Sequence, residues 1–183
     1  MKKYMFTLIV GCALGTLVSA QIYSGKTTEV SFFSTAPMEN ITAVNKASKT
    51  LLNTKTGVVQ VKMNVIGFIF EKPLMQEHFN ENYMESDKFP EAKFSGTIEE
   101  KIDYTKDGIH KLKLKGKLII HGVEKERTLD VTLTIKNGEI QVDSKFNVVL
   151  KDHGIKVPEL VFQKIAETVE VTLKSSMQPY QKK

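Results

Sequence analysis

Four histidines, one cysteine and a few carboxylates are the residues of this sequence whose chemistry could go beyond packing. His78, His110, His121 and His153 would suggest a metal centre if another ligand stood two or four positions away. None does, so a zinc or copper site would have to be assembled by the fold, and each histidine reads more simply as a turn or surface residue. Asp152 beside His153, in the polar stretch 151–154, is one place where a carboxylate could serve an imidazole in acid–base work. Glu100 is another, because by parity it shares the face of Phe94, Ile98 and Ile102. A bulge, a sheet rim or a polar group aimed into a cavity would each explain it. Serine nucleophile elbows, phosphate-cradling glycine loops and zinc-protease helices are absent. The expectation is no catalytic residue, no metal and no cofactor.

The first twenty residues bear on compartment. Lys2 and Lys3 form a positive start, residues 6–18 are apolar and small, and Val18-Ser19-Ala20 is a small-residue cleavage signal before Gln21. This pattern predicts a cleaved signal peptide over 1–20 and a periplasmic or secreted product. The run is shorter than the roughly 20 apolar residues that span a bilayer, so no integral membrane span is expected in the mature chain. Ile9-Val10-Gly11-Cys12 resembles an acylation signal, but cleavage there would leave a very short apolar run; cleavage after Ala20 is favoured and leaves no cysteine. Losing Lys2 and Lys3 leaves 24 Lys and Arg against 21 Asp and Glu, a net charge of +3. Such a weakly basic balance, spread along strands, points to a solvated face and to no nucleic-acid partner.

Beyond residue 92 the dominant period is two. Leu112, Leu114, Gly116, Leu118 and Ile120 alternate with Lys111, Lys113, Lys115 and Lys117, an apolar face backed by a lysine ladder. Leu129, Val131, Leu133 and Ile135 repeat the pattern, as do Ile140, Val142, Phe146 and Val148, and then Val169, Val171 and Leu173. Asp107-Gly108 and Asn137-Gly138 are expected as two-residue hairpin turns, with a third reversal at His121-Gly122-Val123. Upstream, residues 29–33, 41–52 and 57–70 read as strands, and the apolar end of the last, "VIGFIF", needs a cover on its outer side. Pro73 can open a helix, and Leu74, Met75, His78, Phe79, Asn82 and Met84 fall near helical spacing, so residues 73–85 are expected as a short amphipathic helix over that end.

A mainly β domain of about seven to eight antiparallel strands with one helix buries its apolar face by closing into a barrel. One domain over 21–175 is expected, followed by a polar tail, 176–183. The inward positions are Phe32, Met63, Val65, Phe94, Ile98 and Leu112, with Leu114, Leu118, Leu133, Phe146, Val148 and Val171. Most are core under any reading; whether some line a tunnel is the functional question.

Two ordered segments carry a resemblance. "MQEHFNENYMESDKFPEAKFSGTI", with Phe79, Tyr83, Pro90, Phe94 and Gly96, and "GKLIIHGVEKERTLDVTL", with Gly116, Leu118, His121, Gly122 and Val123, resemble the YceI-like family of bacterial periplasmic or secreted lipid-binding proteins. "HGIKVPE" is similar to the polar loop before that family's last strand, and "AVNKASKTLLNTKTG" departs from the commoner pattern. The resemblance implies a lipocalin-like antiparallel β-barrel of about eight strands, with one short helix covering an end and a tunnel for a long-chain apolar ligand. The implied ligand is a polyisoprenoid, an isoprenoid quinone or a fatty-acid derivative, bound without catalysis. Phe79 and Tyr83 would form a lid pinned by Pro90, with Phe94 the first inward side chain below it. Two other readings compete: a side-chain-filled barrel whose lysine face meets an acidic partner, and a lipid-modifying enzyme whose Glu100 or Asp152-His153 pair converges on one tunnel end. A homodimer is left open.

Overall fold

Burial of alternate side chains organises ten strands in the computed structural model, which describes residues 21–35, 40–157 and 166–181. The expected signal peptide, Cys12, and residues 158–165 of the stretch before the last strand lie outside the described residues. The strands are β1 (Ile22–Ser34), β2 (Ile41–Asn45), β3 (Lys49–Asn53), β4 (Val58–Asn64), β5 (Ile69–Phe70), β6 (Glu91–Ile98), β7 (Gly108–Ile120), β8 (Val123–Lys136), β9 (Glu139–Val149) and β10 (Thr168–Pro179). Antiparallel pairings run β1-β3-β4-β6-β7-β8-β9-β10, and β10 returns to pair with β1, so eight strands close a barrel.

The other two strands are not extra staves. β2 pairs with β1 further along the edge that β3 uses, and β5 pairs with β2 much as β4 pairs with β3. The expected strands 41–52 and 57–70 are therefore each one stave broken in two. Asn45 holds both breaks. Fully buried, its Nδ2 donates to the Asn64 carbonyl at 2.8 Å, while its Oδ1 accepts the Ala47 N–H at 2.9 Å and the Ser48 hydroxyl at 3.3 Å. The second break is a 3-10 turn, Val65–Gly67, whose Val65 N–H donates to the Pro90 carbonyl at 2.9 Å.

Two of the three expected reversals form as two-residue turns with both central φ positive: His121 and Gly122 at 51° and 73°, Asn137 and Gly138 at 52° and 78°. Asp107-Gly108 does not. β6 ends at Ile98, opposite Leu114, whereas β7 starts at Gly108 to match the longer β8, so residues 99–107 form a loop. Asp107 instead accepts the Asn137 N–H at 2.9 Å, bracing the next turn. The C-terminal strand also extends past the expected tail boundary: β10 runs to Pro179 and buries Met177. Three of the four outward lysines of the ladder are ion-paired, Lys113 with Asp130, Lys115 with Glu99 and Lys117 with Glu124.

Replacing Asn45 with Ala removes three hydrogen bonds made by a fully buried side chain across both breaks, and is expected to destabilise the fold by about 3 kcal/mol in urea unfolding.

Candidate functional site

The two ends of the barrel are filled differently. At the end carrying loop 99–107, Tyr23, Leu52, Ile98, Leu112, Leu133, Ile135, Ile140 and Met177 are all buried, and half-buried Ile102 and Tyr104 from the loop pack against them. Toward the other end lies a cavity of about 150 Å3. Its wall takes Val30 and Phe32 from β1, Val59, Val61 and Met63 from β4, Phe94 from β6, and Leu114, Leu118 and Ile120 from β7. Leu129, Val131, Val142, Phe146, Val148, Val169, Val171 and Leu173 complete it from β8, β9 and β10.

One pair of residues makes room on the wall for the Phe94 ring. Gly96 and Gly116 stand directly opposite each other on β6 and β7. A Cβ on either glycine would come within 2.8 Å of the Phe94 ring, so the ring lies against the bare backbone of both. Polar groups on the wall are few, and Thr50, Ser144 and Lys93 are occupied. Thr50 accepts a hydrogen bond from Thr28 at 3.2 Å, Ser144 donates to the Asp130 carbonyl at 2.7 Å, and the Lys93 ammonium pairs with Glu91 on the outward side at 2.7 Å. An apolar space of this kind favours hydrocarbon over water.

The mouth is covered as the segment's aromatic spacing suggests, by a shorter helix than expected. α1 (Pro73–His78), opened by its N-terminal proline, gives way to a π-helical turn, Phe79–Tyr83. The wider turn points Phe79 inward. Its ring centroid lies 5.6 Å from Phe32, 5.5 Å from Phe68 and 5.0 Å from Phe70, and Phe32 in turn contacts Phe68 and Phe70 at 5.3 and 5.7 Å. Tyr83 and Met84 line the cavity beside Phe79, and burial pushes the Tyr83 phenol above its usual range.

Of the residues selected from sequence, Phe32, Met63, Phe79, Tyr83, Phe94, Leu114, Leu118, Phe146, Val148 and Val171 lie on the cavity wall. Phe146, Val171 and Phe32 form a single row across β9, β10 and β1. Four others are core rather than lining. Ile98, Leu112 and Leu133 belong to the packed end, and Val65 is turned into the 3-10 break. Parity gives a face but not a height along the barrel, which is why these four were grouped with the rest. Phe68 lines the cavity and Phe70 packs on Phe79, both from the apolar strand end that needs a cover; Leu150 and Ile155, also on the lining, sit where no period operates.

The groups with acid–base chemistry do not converge. Glu100 is exposed on loop 99–107, 3.5 Å from the Lys113 N–H, whereas Asp152 and His153 belong to a 3-10 turn, Leu150–His153, that packs on the β7–β8 reversal at the opposite end of β7. His153 is buried with Nδ1 3.1 Å from the Val123 carbonyl. Burial holds its pKa below the ordinary imidazole value, against the opposing pull of the Val123 and Ile120 carbonyls. Among the described residues its Nε2 has no hydrogen-bond partner, as fits a neutral ring protonated at Nδ1. Among the described residues, no group of three or more His, Cys, Asp or Glu side chains is placed to hold a metal ion.

Comparison with known proteins agrees with this geometry. A family model described as the YceI-like domain matches residues 21–177. A polyisoprenoid binding domain from Saccharophagus degradans, implicated in plant cell wall breakdown, shares the fold at a TM-score of 0.74 and 13% identity, covering 86% of this chain and 98% of that one. Burkholderia cenocepacia BcnA does so at 0.68 and 16%, covering 81% and 95%. No curated protein matches the sequence.

Because the folded state lowers the His153 pKa, the unfolded chain binds its proton first on acidification. The stability contributed by neutral His153 is complete above the ordinary imidazole value and is lost as pH falls from there through the lowered folded-state value. Urea midpoints measured on either side of about pH 6.5 should fall on the acid side, and fall less in His153→Gln.

Proposed function

This chain belongs to the YceI-like family, and on that premise we propose that its barrel binds one long-chain apolar ligand, a polyisoprenoid, isoprenoid quinone or fatty-acid derivative, without catalysing its conversion. The observation that carries the reading is the cavity: an apolar space left open inside a barrel whose other end is packed with large side chains. A core free to optimise packing would fill it. The ligand named for the Saccharophagus degradans domain agrees with the reading.

Hydrocarbon burial supplies the affinity. Each methylene removed from water contributes about 0.8 kcal/mol, so ten carbons give on the order of 8 kcal/mol before the cost of association. With the Thr50 and Ser144 hydroxyls already hydrogen-bonded, selectivity falls to the length and shape of the chain rather than to a charged contact. At about 150 Å3 the space is smaller than the roughly 300 Å3 of ordinary ligand pockets, so uptake needs the rings at the mouth to give way. Phe79 and Tyr83 are the groups placed to do so. The sequence pattern over 1–20 suits a carrier or store that works in the periplasm or outside the cell.

A filled barrel that docks its lysine face on an acidic partner is the alternative. The open interior and the ion pairs along that face both weigh against it.

Titration with a pyrene-labelled long-chain alcohol tests the proposal. Leu114→Arg, which sets an unpaired charge on the apolar wall, and Leu118→Trp, which occupies the space with indole, are each expected to weaken binding at least about tenfold. Full binding by both variants, with circular dichroism showing intact sheet, would contradict it.

A further inference from the structure

The lid is tied to the opposite rim by one polar contact. Immediately after Met84, which lines the cavity, Glu85 adopts a positive φ of 42° and sets its carboxylate 3.1 Å from Nε2 of His121 in the β7–β8 turn. The other ring nitrogen of His121, Nδ1, lies 3.2 Å from the carbonyl oxygen of His153. Phe89 packs on the imidazole with ring centroids 4.2 Å apart, and a Cβ on Gly122 would meet the same Phe89 ring at 2.8 Å. Only 11% of the His121 side chain is exposed.

Both partners of His121 are acceptors. A carboxylate and a backbone carbonyl offer lone pairs, whereas a neutral imidazole has one N–H and one lone pair. Either neutral tautomer would therefore turn a lone pair on an acceptor oxygen. Only the imidazolium donates to both.

We propose that Glu85 and His121 form a proton-dependent clasp, which holds the lid over the cavity while His121 is charged and frees it when His121 loses its proton. The proposal rests on the reading that a ligand enters beneath this lid.

The surrounding charges suit such a device. From the lid turn, Lys88 pairs with Glu85; the Lys88 ammonium first, then His121, hold the Glu85 carboxyl below its usual range, so it remains an anion. From the turn after β9, His153, whose pKa burial lowers, offers His121 its backbone carbonyl, while Asp152 and, from β8, Arg127 act on His153 with opposite sign. The proton that the two acceptors need is thus the one on the His121 ring, and imidazole as a side chain changes charge between about pH 5 and 8. The clasp is complete below that range and is lost as pH rises through it.

Hydrogen exchange on the ligand-free chain reads the clasp directly. The Met84 N–H donates to the Phe79 carbonyl and the Ser86 N–H to the Asn80 carbonyl, each at 2.8 Å, so both report opening of the lid. After correction for the intrinsic pH dependence of exchange, their protection should fall about tenfold from about pH 5 to 8 while Leu118, in the β7 ladder, holds. Glu85→Gln and His121→Asn should exchange at the high-pH level throughout; Asn is chosen because it tolerates the positive φ of the turn. Lid protection that ignores pH, or that survives in both variants, would overturn the clasp. Release of the pyrene-labelled alcohol separates the two readings. pH-dependent protection without any binding of the alcohol would sink the ligand and keep the clasp, while binding with a pH-independent lid would sink the clasp alone.

Discussion

A sheet that closes on itself has one face without access to water, and every second residue of its strands is committed to that face. The rest of this molecule follows from how eight staves meet that commitment. Large aliphatic side chains fill the end carrying loop 99–107, and there the barrel is an ordinary core. Further along, two facing glycines remove the side chains that would have completed the next layer, and Phe94 settles against the gap they leave. Space remains at the height where Phe32, Phe146 and Val171 form a row.

An open apolar space close to a rim has to be shielded, and the segment after β5 provides the shield. It starts as a helix because Pro73 suits a first turn, then widens into a π-helical turn that brings Phe79 among Phe32, Phe68 and Phe70. The cover is therefore an aromatic cluster whose members come from the lid and the wall alike. Its far side is held by polar contacts of a different kind. Asn45 and Val65 fix the broken staves beneath the helix, while Glu85, His121 and His153 join the segment to the β7–β8 rim. Apolar packing sets the position of the cover, and the contact between Glu85 and His121 lies at its edge.

Strict alternation made the lysine-backed strands legible in the sequence, because a lysine ladder opposite a leucine ladder has one arrangement in a half-buried sheet. Asn137-Gly138 and His121-Gly122 were readable for a related reason, since positive φ at both turn positions restricts the residues that fit. Asp107-Gly108 has the same composition and forms no such turn, because strand lengths on either side, which a dipeptide does not encode, place it in a longer loop. The two stave breaks were hidden for a similar reason. Asn45 and Gly67 matter through each other and are far apart in sequence. Within the candidate site, the face of each residue could be read from parity, but its height along the barrel depends on register, which separates Phe146 on the cavity wall from Leu133 in the packed end.

On this reading the open space exists to hold a hydrocarbon chain. Mass spectrometry of organic extracts tests it most directly, using the protein purified after expression with residues 1–20 so that it meets the lipids of its own compartment. The account predicts a stoichiometric long-chain amphiphile, whose mass would also name the ligand class. A protein that yields no such molecule, and takes up neither isoprenoid quinones nor fatty-acid derivatives offered in detergent, would contradict it.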